Sequence, residues 1–329
     1  MSGRVVLEVK DLETRFHTQD GTVHAVNGVS FNLHAGQFLG VVGESGSGKS
    51  VTMMSLLKLI PMPPGEITGG SAFFGGEDLL ALDEDELKDV RGAEIGFIFQ
   101  DPMVSLNPVL RVGQQISEGL RRHHGVSKKN AMARARELLE IVGIPDPDTR
   151  IKNYPYEMSG GMRQRVMIAI ALACNPQMII ADEPTTALDV TVQAQIIEQF
   201  REMREDFGTA VIWITHDLAV VAGLVDRVLV MYGGRIVEEA DVSDLYARPQ
   251  HPYTQGLLNS LPRLDEQGHD LIAIDGQPPN MLQEPVGCSF APRCEYAFDR
   301  CWTDTPVQIE TRPGHMVACH YDMDAGAPR

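Results

Sequence analysis

Residues Gly43-Glu44-Ser45-Gly46-Ser47-Gly48-Lys49-Ser50 constrain this chain more than any other stretch, because they fill every fixed position of the phosphate-loop pattern G-x-x-x-x-G-K-[ST]. The apolar run 37–42 before them reads as a buried strand and 51–57 as the helix that follows, which is the context such a loop needs. Gly43, Gly46 and Gly48 let the backbone turn tightly and aim successive N–H groups at a polyphosphate, with the positive end of the helix behind them. The set expected to hold a nucleotide is Gly43, Ser45, Gly46, Ser47, Gly48, Lys49, Ser50 and Val51. Lys49 suits the β- and γ-phosphates and Ser50 a Mg²⁺ ion. A plain glycine- and serine-rich turn is the competing account, and the two correct flanks disfavour it.

Composition narrows the class. With 329 residues the chain can bury one large or two modest cores. Its longest apolar run, 166–174, is about half of the roughly 18 residues a membrane span needs. The polar N-terminus does not read as a secretory signal, so a cytosolic setting without disulfides is expected. A formal net charge of −17 argues against nucleic acid as the main ligand. Arg121, Arg122, Lys128, Lys129, Arg134 and Arg136 form a local basic cluster that a solvated helix face explains equally well.

In chain order, 5–16 and 29–33 read as antiparallel strands around a turn at Gln19-Asp20-Gly21, and Phe16 is an aromatic suited to stack on a base. Pro61 to Gly65 ends the first helix, 71–74 is a short strand, and Asp83 starts an acidic, capped helix. Strand 95–99 delivers Gln100 to the end where α/β sheets gather ligand contacts, in reach of Mg²⁺ or the attacking water. Residues 101–175 read as a helical insertion. Its last helix opens on Ser159-Gly160-Gly161, a second anion-binding helix start. One nucleotide hardly needs two such sites from one chain, so this one is expected to address a γ-phosphate held by another subunit.

Strand 178–183 carries Asp182 for the Mg²⁺ shell, and Glu183 on its other side is placed to polarise water. Thr186 to Asp189 reads as a tight turn into helix 190–207. Strand 210–215 presents His216 for a γ-phosphate contact, and strands 227–232 and 234–239 complete the sheet.

These elements, in this order, resemble the ATP-binding subunits of ABC transporters over residues 1–260. The phosphate loop, Gln100, Ser159-Gly160-Gly161, Asp182-Glu183, Asp189 and His216 match that family's Walker A, Q-loop, signature, Walker B, D-loop and H-loop. Phe16 looks like the adenine-stacking aromatic, ahead of His17. Gln100-Asp101-Pro102-Met103-Val104-Ser105-Leu106-Asn107-Pro108, Met162-Arg163-Gln164-Arg165 and His251-Pro252-Tyr253-Thr254 narrow the likeness to dipeptide/oligopeptide importers. Met158 and Met162 depart from the general signature Leu-Ser-Gly-Gly-Gln, and Met162 is similar to one of the two unlike ATPases such importers pair.

The resemblance implies an α/β P-loop NTPase core of ABC type, with an antiparallel β subdomain and a helical insertion (1–262), and a Cys-rich C-terminal extension (263–329). It implies an ATPase that uses ATP and Mg²⁺ and sits peripherally on the cytoplasmic face of the cell membrane. Its implied partners are a second ABC ATPase subunit (a paralogue or a second copy), two transmembrane permease subunits and an extracytoplasmic solute-binding protein, with no nucleic acid. Translation-factor ATPases with two such domains and repair ATPases with a long coiled coil are disfavoured, since the chain shows neither feature. Glu183 and His216 argue against a binding module that has lost hydrolysis.

Four of the five cysteines, Cys288, Cys294, Cys301 and Cys319, fall in the extension, while Cys174 reads as core. In a cytosolic chain they suggest a soft metal site, with unligated thiols as the alternative. Their spacing lacks both paired C-x-x-C and the ferredoxin run, so it does not name the metal. The resemblance to peptide importers implies a [4Fe–4S] cluster; His315 and His320 are the substitute ligands if one cysteine is not used.

Overall fold

The computed structural model describes residues 3–185, 190–261 and 274–329. The expected turn at Thr186 to Asp189, Asp189 included, lies outside the described residues. The chain divides into two compact units.

One unit comprises Leu7–Asn32, Phe38–Ala81 and Thr215–Arg329. Its first sheet is antiparallel, in the order Gly21–His34, Val5–Thr18, Gly65–Phe74, Glu77–Asp78. Val29, Phe31 and Leu33 alternate into its buried face. The strand Gly65–Phe74 is longer than the sequence suggests, because Gly65, Gly69 and Gly70 have poor strand propensity. Pairing with Val5–Thr18 fixes them all the same, through a register shift between Lys10 and Glu13.

This unit's second sheet runs in the order Ile309–Arg312, His315–Val317, Arg235–Asp241, Arg227–Tyr232, Phe38–Val42. Phe38–Val42 pairs in parallel with Arg227–Tyr232, and the other pairs are antiparallel. All five residues of Phe38–Val42 are buried, which accounts for its unbroken apolar run. The extension is therefore not irregular throughout, as its composition suggests: two of its strands continue this sheet. Pro313-Gly314 marks their turn, with Gly314 at φ +74°.

The other unit includes Leu33–Gln37 and Leu82–Ile214. Ile95–Ile98, Met178–Asp182 and Ala210–Thr215 form a parallel array, with Met178–Asp182 in the middle. Helix Glu84–Val90 starts on a capping box: Asp83 accepts from the Glu86 amide and Glu86 from the Asp83 amide. In the expected helical insertion, Val112–His123 buries Val112, Ile116 and Leu120, and Lys128–Ile141 buries Ala131, Ala135, Leu138 and Leu139. Both pack on the helix Gly160–Leu172, which also lies against strand Ile95–Ile98. Cys174 is buried as expected. Of the basic cluster, Arg136 pairs with Glu140 at 2.9 Å and Asp148 at 2.8 Å, and Arg134 pairs with Glu137 at 3.2 Å. That behaviour belongs to a solvated face. Among the described residues no helix is long and apolar enough to cross a membrane.

Candidate active site

The phosphate loop leaves the buried strand Phe38–Val42 and runs into helix Lys49–Leu56, whose first turn lies inside the motif. Gly43 has φ +151°, and a Cβ there would sit 2.3 Å from the Met231 carbonyl oxygen. Gly48 has φ +98°, with the Ala25 carbonyl oxygen 2.5 Å from the same imaginary atom. Any side chain at either position would displace backbone, so both glycines are required by the fold itself. The helix has no side-chain N-cap and no acid in its first turn, which leaves the dipole's positive end to an anion. Lys49 is buried and donates from Nζ to the carbonyl oxygens of Gly43 at 2.7 Å and Glu44 at 2.9 Å. Its ammonium is thus held at the loop's mouth by the loop's own backbone.

Glu44, a variable position of the motif, is fixed from the C-terminal half of the chain. Its amide donates to the Tyr253 hydroxyl at 2.8 Å. Its carboxylate receives both terminal nitrogens of Arg293, Nη1 at 2.6 Å and Nη2 at 3.0 Å. Arg293 also donates to the carbonyls of Asp275 and Ile274 and to the Tyr232 hydroxyl. Its guanidinium carbon lies 5.8 Å from the Tyr232 ring centre and 6.0 Å from that of Phe290. Sequence reasoning missed Arg293. Nothing in spacing links positions 249 residues apart.

Tyr253 belongs to the His251-Pro252-Tyr253-Thr254 motif, which opens helix Pro252–Asn259. His251 accepts the Tyr253 amide on Nδ1 at 3.0 Å, and burial drops its pKa to about 4. The fully buried Glu238 carboxylate accepts from the amides of Gln250 at 2.5 Å and His251 at 3.0 Å, and lies 2.7 Å from His315 Nε2. Phe290 packs against the rings of His251, Tyr253 and Tyr232.

Phe16 is half-buried and pairs across the sheet with Gly65. His17 is engaged with Glu66 at 2.8 Å and Thr22 at 3.3 Å. His216 is exposed in the same unit, and Asp217 after it caps helix Leu218–Ala222.

In the other unit, Asp182 ends its strand almost fully buried. Glu183 is not one more strand residue facing the opposite way, as alternation predicts. It lies beyond the strand at φ +46°, with its amide bonded to the Ile214 carbonyl at 3.0 Å. The left-handed bend aims its carboxylate at Gln100, whose Nε2 donates to Oε2 at 3.0 Å. The structure therefore brings Gln100 and Glu183 together. Helix Gly160–Leu172 starts at Ser159, whose hydroxyl accepts from the Met162 amide at 3.4 Å. Ser159 and Gly160 are exposed, while Met158 beside them is buried. Arg163 and Arg165 fix the helix from behind, Arg163 on the Pro155 carbonyl at 2.7 Å and Arg165 on those of Val142 and Gly143 at 3.0 Å.

The cysteines of the extension are all free thiols. Among the described residues no three His, Cys, Asp or Glu side chains are gathered as a metal site, so the expected ligand set is not drawn together. Burial pushes the Cys294 thiol up to about 11 and that of Cys319 to about 12. The donor chemistry does fit a soft metal. Cys319 Sγ accepts the Tyr321 amide at 3.4 Å. His315 Nε2 lies 2.7 Å from Glu238 and His320 Nε2 2.9 Å from the Asp304 carbonyl oxygen.

The motif order, the loop geometry and the sheet array find their counterparts among known proteins. The ABC transporter family matches residues 26–186, and the family described as oligopeptide/dipeptide transporter, C-terminal region, matches residues 237–301. The oligopeptide transport ATP-binding protein of Bacillus subtilis is 53% identical over 313 residues, 95% of this chain and 87% of that protein. The chain belongs to the ABC transporter ATP-binding subunits of the dipeptide/oligopeptide type. The dipeptide transport ATP-binding protein of Bacillus subtilis is 50% identical over 95% of this chain and 94% of its own length. A probable peptide ABC transporter ATP-binding protein of Sinorhizobium fredii is 52% identical over 96% and 94%. Among solved structures, an ATP-binding cassette captured as a dimer after hydrolysis with ADP and Pi superposes with a TM-score of 0.66 at 29% identity, over 72% of this chain and 98% of that one. The fold is the ABC ATPase cassette, and the chain is an ATPase of that family.

Proposed function

We propose that this ABC subunit binds MgATP and hydrolyses it to drive uptake of di- or oligopeptides through a membrane complex. The observation that carries this reading is the likeness, at about half identity and over nearly the whole chain, to ATP-binding proteins named for oligopeptide and dipeptide transport. The match of residues 237–301 to the C-terminal region of such transporters supports it independently of the ATPase core.

In this reading Lys49 leaves its backbone carbonyls for the β- and γ-phosphates, and the loop amides of Gly43 to Val51 cradle them. Ser50, Asp182 and Gln100 hold Mg²⁺, and Phe16 stacks on adenine. Glu183 takes a proton from the water that attacks the γ-phosphorus, ADP leaves as the γ-phosphate bond breaks, and His216 contacts the γ-phosphate. Ser159, Gly160 and Gly161 close on the nucleotide of a second ATPase subunit, and Asp189 belongs to that interface. Two permease subunits and an extracytoplasmic binding protein complete the importer, with this chain peripheral on the cytoplasmic face. Cys288, Cys294, Cys301 and Cys319 would hold a [4Fe–4S] cluster that would cross-link the extension, a reading supported by the soft donor set and by the Tyr321 amide on Cys319. Anaerobically purified protein then contains about four irons per chain; colourless, zinc-bearing or metal-free protein overturns the cluster.

The transport reading is tested on the complex reconstituted in vesicles with its binding protein. Peptide-loaded binding protein is expected to raise ATP turnover and to drive labelled peptide inward. Turnover that responds to a non-peptide solute and not to peptides overturns it.

A further inference from the structure

The phosphate loop is held by a part of the chain that no nucleotide-binding motif includes. Glu44 is gripped twice: the Tyr253 hydroxyl takes its amide at 2.8 Å, and the Arg293 guanidinium takes both carboxylate oxygens at 2.6 and 3.0 Å. The Arg293 side chain is only 4% exposed and that of Glu44 28%, so water competes little for the pair. Two parallel N–H···O⁻ bonds fix orientation as well as distance, which a single contact does not. The grip reaches the lysine directly, because the Glu44 carbonyl is one of the acceptors that place Lys49 Nζ.

We propose that Arg293 is a positioning residue for nucleotide binding: from the C-terminal extension it holds Glu44, and through Glu44 the phosphate loop, in the shape that receives the triphosphate. The proposal rests on the phosphate-loop reading above. It gives the extension a part in nucleotide affinity. Arg293 ends the short turn Ala291–Arg293 and precedes Cys294, so the segment that carries the thiols also carries the guanidinium. Loop residues that are pre-organised bind a ligand without a further ordering cost, and release of the grip brings that cost back.

The test is a double-mutant cycle on the full-length chain, read by titration with a fluorescent ATP analogue and Mg²⁺. R293M is expected to weaken binding about tenfold and R293K, which keeps the charge without the fork, about threefold. In an E44Q background the same R293M change is expected to cost less than about twofold, because its partner charge is already gone. In the reconstituted transporter the R293M loss appears in KM for ATP, with kcat within about twofold of the parent. Should R293M fail to fold, R293K and Y253F carry the test, the latter removing only the hydroxyl that accepts the Glu44 amide. Affinities within about twofold of the parent in the single variants, or equal losses in both backgrounds, overturn the proposal. K49A separates this from the underlying reading: normal nucleotide affinity in K49A removes the phosphate loop itself, whereas a K49A loss beside an unaffected R293M removes only the grip.

Discussion

Glu183 shows how much of the chemistry is decided by one residue's backbone. A strand continued past Asp182 would turn the next side chain to the far face; the left-handed φ of +46° instead presents the carboxylate to Gln100. A non-glycine residue held there stores roughly 1 kcal/mol or more, which the Glu183 amide bond to Ile214 helps to offset. Glu183→Gln keeps the shape and removes the base. It is expected to bind MgATP as well as the parent and to hydrolyse it at least about a hundredfold more slowly, measured as phosphate release in single turnover. Unchanged turnover would exclude Glu183 as the base. His251 offers a second test at this scale. Its pKa falls from 6.5 to about 4 on folding, so the unfolded chain binds the extra proton first. Its share of stability is complete above about pH 6.5 and is lost as pH falls towards 4, by up to about 3 kcal/mol. The slope of unfolding free energy against pH over that window, from urea titrations, should flatten in H251N.

At the scale of elements, Glu238 ties the sheet strand Arg235–Asp241 to the turn before helix Pro252–Asn259 and to strand His315–Val317. Glu238→Ala strands two buried amides and an imidazole, and is expected to cost about 3 kcal/mol or more, read as a shift in the urea midpoint at constant slope. A loss under about 1 kcal/mol would mean that water replaces the carboxylate. The elements around the nucleotide motifs were legible in the sequence because their signals are local. Residues 38–42 are an uninterrupted apolar run, Asp83 and Glu86 make a capping box three residues apart, and the helix from Gly160 follows a serine cap. Pairing that depends on distant partners was not legible. The glycines of 65–70 look unlike a strand until Val5–Thr18 lies beside them, and Ile309–Arg312 with His315–Val317 are too short to stand out from a tail rich in proline and cysteine. The Arg293 to Glu44 pair belongs to the same class, an ion pair whose halves carry no mutual signature in sequence.

At the scale of the whole molecule, the proposed pairing of two ATPase subunits would bring a chain of net charge −17 against a second copy over long-range repulsion, so in that reading short-range contacts at the nucleotide have to hold the pair. Gly160 allows that idea to be tested without touching the chain's own phosphate loop. A Cβ added at Gly43 or Gly48 would strike backbone within 2.5 Å, whereas one added at Gly160 meets nothing within 4 Å. The first two glycines serve the fold of this chain. The third, in the exposed first turn of its helix, is free of such a demand, and alanine is there the better helix former. Gly160→Ala should therefore fold with an unchanged or slightly raised melting temperature and bind the fluorescent ATP analogue with parental affinity. If this helix start completes a partner's site as proposed, the added methyl stands where the γ-phosphate approaches, and at least about half of the ATP turnover of the assembled transporter should be lost. A Gly160→Ala complex that hydrolyses ATP at the parental rate would mean that this helix start faces no nucleotide, and the two-subunit site would have to be given up while the single-chain phosphate loop stood.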